Sequence, residues 1–159
     1  ILLDAPGGTF WQGALDFIHH QLAENRYILP TDMKLVSLVY SAEEAVEQIN
    51  QFYSNFHSSR WLKHQFIIRM NHRLSDQALD HMQQAFADLC LSDHFHQHAY
   101  SGEEHDDEQF SHLARLAFTS NARAHGRLCE LVDYINLPEN WAQSKPQAQQ
   151  RTREPSKVT

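Results

Sequence analysis

Two glycines follow a short apolar run near the start of the chain. Residues 1–4, Ile-Leu-Leu-Asp, have the continuous apolar character of a strand in a parallel sheet, and Pro6-Gly7-Gly8 ends this strand. A helix is predicted next, so free backbone N–H groups and the positive end of a helix dipole would meet at the turn, which suits an anion such as phosphate. Neither the G-x-G-x-x-G spacing nor a P-loop is present, so the favoured interpretation is that the glycines serve only to turn the chain sharply into the helix.

Asp4 stands at the carboxyl end of the predicted strand, where ligands gather in open α/β sheets. Its carboxylate either contacts a ligand or caps the loop, and both interpretations stay open. The candidate ligand-binding residues are therefore Asp4, Gly7, Gly8 and Thr9.

Three histidines alternate in the stretch Asp-His-Phe-His-Gln-His at residues 93–98. In a strand, His94, His96 and His98 would point the same way, as zinc ligands can. Nothing in the sequence indicates a second shell or a general base for them, so a solvated strand edge is the favoured interpretation. We predict no functional metal site and no cofactor.

The chain offers no recognisable nucleophile. A G-x-S-x-G elbow is absent, and the two cysteines, Cys90 and Cys129, fall in predicted helices without metal-ligand spacing. Both are expected to be reduced core residues. No catalytic residue is predicted within these 159 residues.

The elements that would position the turn alternate strand and helix. They are a strand at residues 1–4, a helix at 9–24, a strand at 35–40 and a helix starting at 41. Capping boxes, Thr9 with Gln12 and Ser41 with Glu44, mark both helix starts. This order predicts right-handed crossovers in a parallel sheet. Two strands cannot make such a sheet alone, so further strands are expected upstream of Ile1 or in another chain.

Beyond a polar joint at residues 55–60 the pattern changes, and a second unit is predicted. Its elements are a half-exposed strand at 62–70, a helix capped by Ser75, strands at 95–100 and 113–119, and a helix capped by Ser120 or Asn121. This βαββα order fits a small α+β sandwich of the ferredoxin-like or ACT-like kind. The predicted domains are residues 1–56 and 61–137, and a disordered tail follows at 142–159.

Two solvent-facing features are predicted in this second unit. Alternation places Lys63, Gln65, Ile67 and Arg69 on the outer face of the first strand. The acidic residues between 103 and 108 are expected to form a solvated loop.

Charge and hydropathy argue against two classes of partner. The formal net charge is −7, and because nucleic-acid affinity depends on clustered Lys and Arg, no nucleic acid is expected as a partner. No apolar run approaches the roughly 20 residues that span a bilayer, and no secretory signal is visible, so no membrane association is expected. The expected location is cytoplasmic. Because the chain begins inside a predicted strand, it is interpreted as a fragment of a longer protein.

The first 53 residues resemble the closing part of the Lonely Guy (LOG) family, Rossmann-like nucleoside 5′-monophosphate phosphoribohydrolases formerly labelled lysine decarboxylases. The matching stretches are ILLDAPGGTFW, then LDFIHHQLAENRYILPTDMKLVSLVYSAEEAVEQINQFY, with HSSRW just after. The likeness is to the larger bacterial branch, which carries an extra C-terminal α+β domain, and it extends over residues 1–137. It implies the last two βα units of a Rossmann-like sheet, binding of a purine nucleoside monophosphate, hydrolysis of its N-glycosidic bond to base and ribose 5-phosphate, and a homodimer.

This chain only imitates the catalytic motif of that family. The motif reads Pro-Gly-Gly-x-Gly-Thr-x-x-Glu with an Arg upstream, and Pro6-Gly7-Gly8-Thr9 matches its start alone. Phe10 and Trp11 stand where Gly and Thr would be, and Ala14 stands where Glu would be. Because glycosidic cleavage needs a carboxylate to stabilise the oxocarbenium-like transition state, the chain is expected to be inactive as it stands. The alternative function is a non-catalytic ACT-like ligand-binding or dimerisation module at residues 61–137.

Overall fold

The computed structural model describes residues 1–92, 94–102, 104–120 and 125–143. Its first unit contains a two-stranded parallel sheet, in which Leu2 lies opposite Leu38. The elements are β1 (Leu2–Leu3), α1 (Phe10–Phe17), a π-helical segment (Ile18–Ala23), a 3₁₀ helix (Pro30–Leu35), β2 (Leu38–Val39) and α2 (Ala42–Phe52). The predicted strand–helix order and the parallel pairing are confirmed, although both strands are shorter than their apolar runs.

The second unit contains a four-stranded antiparallel sheet. Its elements are β3 (Phe56–Leu62), β4 (Gln65–Met70), α3 (Asp76–Ala85), a 3₁₀ helix (Ala87–Leu89), β5 (His96–His98), a 3₁₀ helix (His105–Phe110), β6 (Ala114–Phe118), α4 (His125–Asn136) and a 3₁₀ helix (Pro138–Asn140). The strand order in the sheet is β3-β4-β6-β5. The chain is thus a mixed α/β protein with one parallel and one antiparallel sheet. No helix within these described ranges is long and apolar enough to cross a membrane.

One strand of this sheet lies where the sequence predicts a polar joint. β3 runs through residues 56–60, and it pairs with β4 through a two-residue turn, since Leu62 lies opposite Gln65. Lys63 adopts a φ of 55° in this turn, a conformation usually taken by Asn or Gly. The order of the second unit is therefore ββαββα rather than the predicted βαββα. The sequence interpretation missed β3 because an edge strand rich in Ser, His and Arg is as polar as a loop.

Helix starts are confirmed at two of the predicted caps. Ser41 Oγ accepts a hydrogen bond from Glu44 N at 3.1 Å, and Ser75 Oγ accepts one from Ala78 N at 3.1 Å. The predicted capping box at Thr9 is wrong, because within the described part of the chain the Thr9 side chain makes no capping hydrogen bond. Its expected partner, Gln12, instead donates to Asp16 Oδ1 at 2.8 Å.

The core of the molecule lies between the antiparallel sheet and the helices α3 and α4. Ile68, Met70, Leu116 and Phe118 line the sheet side, and the helix side includes the predicted core residues Met82, Phe86, Leu131 and Ile135, all of them buried. Cys90 and Cys129 are both half-buried, but Cys90 follows a 3₁₀ helix rather than lying within one. Burial of these apolar side chains is the main favourable term for this unit.

The opposite face of the sheet is more covered than the alternation predicts. Ile67 and Arg69 were expected to face solvent, yet they are 1% and 4% exposed. Glu104 was expected in a solvated loop, yet it is 1% exposed. The segment between β5 and β6 folds over this face, so the side chains that point away from the core are covered by it. Asn121 and the predicted tail beyond residue 143 lie outside the described residues.

The first unit buries little of its apolar surface. Within residues 1–53, the buried apolar side chains are Ala23 and Val39. Many others are at least 46% exposed: Ile1, Leu3, Phe10, Phe17, Tyr27, Leu29, Leu35, Val46, Ile49 and Tyr53. Val46, Ile49 and Tyr53 belong to the predicted apolar stripe of α2, so these members of the stripe are about half exposed in this structure. A parallel sheet of two strands leaves both its faces and its edges uncovered.

The C-terminal helix joins the two units. Asn136 Oδ1 accepts hydrogen bonds from Asn55 N at 2.9 Å and Phe56 N at 2.8 Å, and its Nδ2 donates to Phe52 O at 2.6 Å. At the other end of α4, a Cβ placed on Gly126 would lie 2.0 Å from the carbonyl oxygen of Thr31. The helix thus packs directly on the 3₁₀ helix of the first unit.

Candidate functional site

Asp4 holds the turn between β1 and α1. Its Oδ1 accepts a hydrogen bond from Ala5 N at 2.8 Å, and its Oδ2 accepts a longer one from Trp11 N at 3.4 Å. Trp11 also donates from Nε1 to the carbonyl of Leu3 at 3.0 Å. The N–H of Trp11 is among those that α1 leaves without an intrahelical partner, so the Asp4 carboxylate caps this helix from outside.

The two glycines allow this arrangement for different reasons. Gly7 has a φ of 74°, a conformation that side chains disfavour. Gly8 donates its N–H to the Ala5 carbonyl at 2.7 Å, and a Cβ at this position would lie 2.2 Å from Asp4 Oδ1. Thr9 is exposed and is the last residue before α1. The structure therefore brings the four candidate ligand-binding residues into one turn at the carboxyl end of β1.

The Asp4 carboxylate changes the chemistry available at this turn. The positive end of α1 already faces a negative side chain, so an incoming phosphate would be repelled unless that charge were balanced. A carboxylate instead accepts hydrogen bonds from hydroxyl groups, such as those of a ribose. Of the two interpretations of Asp4, the capping contact is present in the structure, and a ligand contact stays a prediction.

Within the described residues, one group of side chains brings possible metal-ligand atoms close together, and the alternating histidines do not belong to it. His96 lies opposite Ala117 and His98 lies opposite Arg115, and His98 Nδ1 donates to the Ala99 carbonyl at 2.7 Å. The ligand atoms that do converge belong to His19, His20 and Glu24.

The sequence interpretation missed this second group. Its spacing is i, i+1 and i+5, which matches no face of an α-helix. The signal in the sequence that could have revealed this group is the pair of adjacent histidines with a glutamate five residues after the first of them.

Two arginines share one buried glutamate on the outer face of the antiparallel sheet. Arg69 and Arg115 lie directly opposite each other on β4 and β6. Arg69 donates to Glu104 Oε2 from Nη2 at 2.9 Å and from Nε at 3.2 Å, while Arg115 Nε donates to Glu104 Oε1 at 2.9 Å. Burial by itself would raise the pKa of Glu104, but the hydrogen bonds from Arg115 and Arg69 outweigh it and lower the pKa.

Arg115 anchors this cluster in the protein interior. Its Nη1 donates to the carbonyls of Phe110 at 2.7 Å and Leu113 at 2.6 Å, whereas its buried Nη2 has no hydrogen-bond partner among the described residues. Arg115 also lies over the ring of Tyr100, 5.2 Å from the ring centre. The cluster fixes the segment between β5 and β6 on the sheet through charge-assisted hydrogen bonds.

An open cleft of about 690 Å³ lies between α2, α4 and the 3₁₀ helix of the first unit. Ile1, Lys34, Ile49, Cys129 and Asp133 are among its lining residues. Ile1 precedes β1, so the cleft lies at the amino end of the parallel sheet. Ligands of open α/β sheets bind at the carboxyl ends of the strands, where the Asp4 turn is found.

The side chains in this cleft are not set up for nucleophilic chemistry. Burial raises the pKa of the Cys129 thiol, and the carboxylates of Asp133 and Glu130 raise it further. A reactive cysteine needs the opposite shift, toward the thiolate. Burial also raises the pKa of Asp133, against the opposing effect of Lys34. The cleft therefore serves better as a contact region between the two units than as a reaction site.

Comparison with models of known protein families, with curated proteins and with solved structures found no match for this chain. No relative therefore supplies a function for the turn, the buried cluster or the cleft.

Proposed function

We propose that this chain forms the C-terminal part of a LOG-like hydrolase that cleaves the N-glycosidic bond of purine nucleoside 5′-monophosphates, and that the Asp4 turn borders its nucleotide pocket. The observation that supports this most directly is the position of the turn. Asp4, Gly7, Gly8 and Thr9 lie together at the carboxyl end of a parallel strand and at the start of a helix. This is the position at which nucleotides bind in open α/β sheets.

Within this proposal, Asp4 contacts the ribose rather than the phosphate. Its carboxylate lies at the positive end of α1, where it accepts hydrogen bonds from backbone N–H groups. The remaining lone pairs of the carboxylate can accept hydrogen bonds from hydroxyl groups. The phosphate and the scissile bond are then handled by residues outside this chain. The chain by itself releases no ribose 5-phosphate, because Ala14 stands where the catalytic glutamate of the family would be.

The uncovered apolar surface of the first unit supports a larger assembly. Leu3 in β1 is 51% exposed, and Val46 and Ile49 in α2 are 56% and 47% exposed. Further strands beside β1 or β2, or a second copy packed on α2, would bury these side chains. We propose a homodimer that uses the α2 face.

The test compares Asp4→Asn with Asp16→Asn in the longer protein that would contain this chain. Release of ribose 5-phosphate from AMP, GMP and IMP is measured for both variants and for the wild type. We expect Asp4→Asn to raise KM at least tenfold, and Asp16→Asn, on the exposed surface of α1, to change it little. Absence of glycosidase activity in the wild-type protein, or equal effects of the two substitutions, would contradict the proposal.

The second candidate function is a ligand-binding or dimerisation module in the second unit, and one observation favours it. This unit has its own buried core, and its edge strand β3 carries Trp61 at 49% exposure. Pairing through β3 would cover that side chain in a dimer. Loss of the dimer on Trp61→Lys, but not on Val46→Lys, would support this function over the first.

A further inference from the structure

Three side chains in and directly after the π-helical segment that follows α1 bring their possible ligand atoms close together. His19 Nδ1 and His20 Nδ1 are 3.4 Å apart. Glu24 Oε1 lies 3.0 Å from His20 Nδ1 and 3.5 Å from His19 Nδ1. All three side chains are between 53% and 59% exposed. These residues lie outside the Asp4 turn, the buried arginine cluster and the cleft.

The local winding of the helix produces this convergence. Five residues advance an α-helix by about 140° beyond a full turn, which would separate Glu24 from His19. Here Glu24 N donates to the carbonyl of His19 at 3.0 Å, and Tyr27 N donates to that of Leu22 at 2.9 Å. Both are bonds between residues i and i+5, so the π-helical segment places Glu24 one turn after His19. Such π-helical turns occur frequently at functional sites.

The distances match those between neighbouring ligands of a tetrahedral metal ion. With metal–ligand bonds of about 2.0 to 2.1 Å, two ligands of a tetrahedron lie about 3.3 to 3.4 Å apart. The three separations of 3.0, 3.4 and 3.5 Å lie around this value. We propose that His19, His20 and Glu24 bind one divalent transition-metal ion of the zinc class.

The chemistry of the donors favours this class of ion. Two imidazoles and one carboxylate suit Zn²⁺, Co²⁺ or Ni²⁺, whereas Ca²⁺ and Mg²⁺ prefer oxygen ligands. A hydrogen bond from His20 to Glu24 accounts for one of the three contacts, but it leaves the two Nδ1 atoms facing each other. A cation between them would satisfy all three atoms at once.

The exposure of the site predicts an open coordination position. Three protein ligands leave the fourth position of a tetrahedral ion to water, as in catalytic zinc sites. Phe10 is the first residue of α1, and His19 lies about 13 to 14 Å from it along the helix axis at 1.5 Å per residue, so the site is separate from the Asp4 turn. The metal site therefore does not depend on the proposed glycosidase function.

The experiment titrates the full chain with Co²⁺, followed by the visible absorption of the tetrahedral ion, and then displaces it with Zn²⁺. His94, His96 and His98 are first replaced together by Ala, so that alternating histidines elsewhere do not add to the signal. In this background we expect one ion per chain. His19→Ala and Glu24→Gln should each weaken binding at least about tenfold, since even the loss of residues supporting metal ligands costs 10- to 100-fold.

Matched controls carry the same substitutions at exposed positions on other elements, His64→Ala and Glu47→Gln. These should leave the affinity unchanged. Circular dichroism of every variant checks that the helix content is preserved. The proposal is overturned if the His94, His96 and His98 replacement alone abolishes binding, if controls and site variants weaken it equally, or if Co²⁺ binds without a tetrahedral spectrum.

Discussion

At the residue scale, Glu104 provides the negative charge that balances two buried arginines. It is 1% exposed and accepts hydrogen bonds from Arg69 and Arg115. Glu104→Gln keeps the shape but removes the charge, and it should lower the free energy of unfolding by about 3 to 5 kcal/mol, as breaking a buried ion pair does. Urea denaturation measures this change. The matched control is Glu108→Gln at an exposed position, which should alter stability by less than about 0.5 kcal/mol.

The same carboxylate makes stability depend on pH. The pKa of Glu104 is lowered from its ordinary value of 4.5, although burial opposes this, because Arg115 and Arg69 hydrogen-bond to the charged form. A pKa that is lower in the folded state contributes stability that is present above the unfolded value and is lost as pH falls through the folded value. We expect the wild type to lose more stability than Glu104→Gln between about pH 5 and pH 3. Parallel curves for the two proteins would contradict this account.

Gly8 provides a second prediction at this scale. A Cβ at Gly8 would overlap Asp4 Oδ1, so Gly8→Ala should displace the carboxylate and cost about 1 to 2 kcal/mol through the lost cap. Gly13→Ala is the matched control, because among the described residues no atom beyond the chain neighbours and the backbone of the same helix lies within 4 Å of the added methyl group, and alanine favours the helix. Thermal unfolding should therefore show opposite signs for the two substitutions. The same sign for both would exclude the proposed contact.

At the element scale, the packing of α4 on the first unit depends on Gly126. Its added Cβ would lie 2.0 Å from the Thr31 carbonyl oxygen, and backbone cannot move aside as a flexible side chain can. Gly126→Ala should therefore separate α4 from the 3₁₀ helix at Pro30–Leu35 and lower stability by about 1 to 3 kcal/mol. Compared with the wild type, the variant should show faster hydrogen exchange in that 3₁₀ helix and little change in β4. Unchanged exchange in both elements would show that this packing is not required.

At the scale of the whole molecule, the two units differ in how well they are covered. The second unit has a continuous core, whereas the first exposes most of its apolar side chains. We expect the chain to associate at rising concentration through the α2 face, as exposed apolar surfaces do. Val46→Lys with Ile49→Lys should shift sedimentation toward the monomer without lowering the unfolding temperature, since both residues are exposed. Leu91→Lys, exposed in the second unit, is the control and should leave association unchanged.

The sequence by itself determined the local elements. The caps at Ser41 and Ser75 and the inward stripes of α3 and α4 follow from residue types within a few positions of each other. The parallel pairing of β1 with β2 follows from the alternation of strand and helix along the chain. Hydrophobic periodicity and capping are local effects, and they are therefore readable without the fold. The turn at Asp4 was also expected from its place after an apolar strand.

Only the tertiary structure decided which polar residues are buried and which converge. β3 carries the polarity of a loop, and its strand character comes from pairing with β4. Glu104 is 35 positions from Arg69 in sequence, so their ion pair depends on the sheet and on the segment folded over it. The pairing of β3 and the Glu104 ion pair depend on distances set by the whole chain, whereas sequence patterns report only on near neighbours. His19 and Glu24 are near neighbours, but they meet through π winding, which no regular period in the sequence predicts.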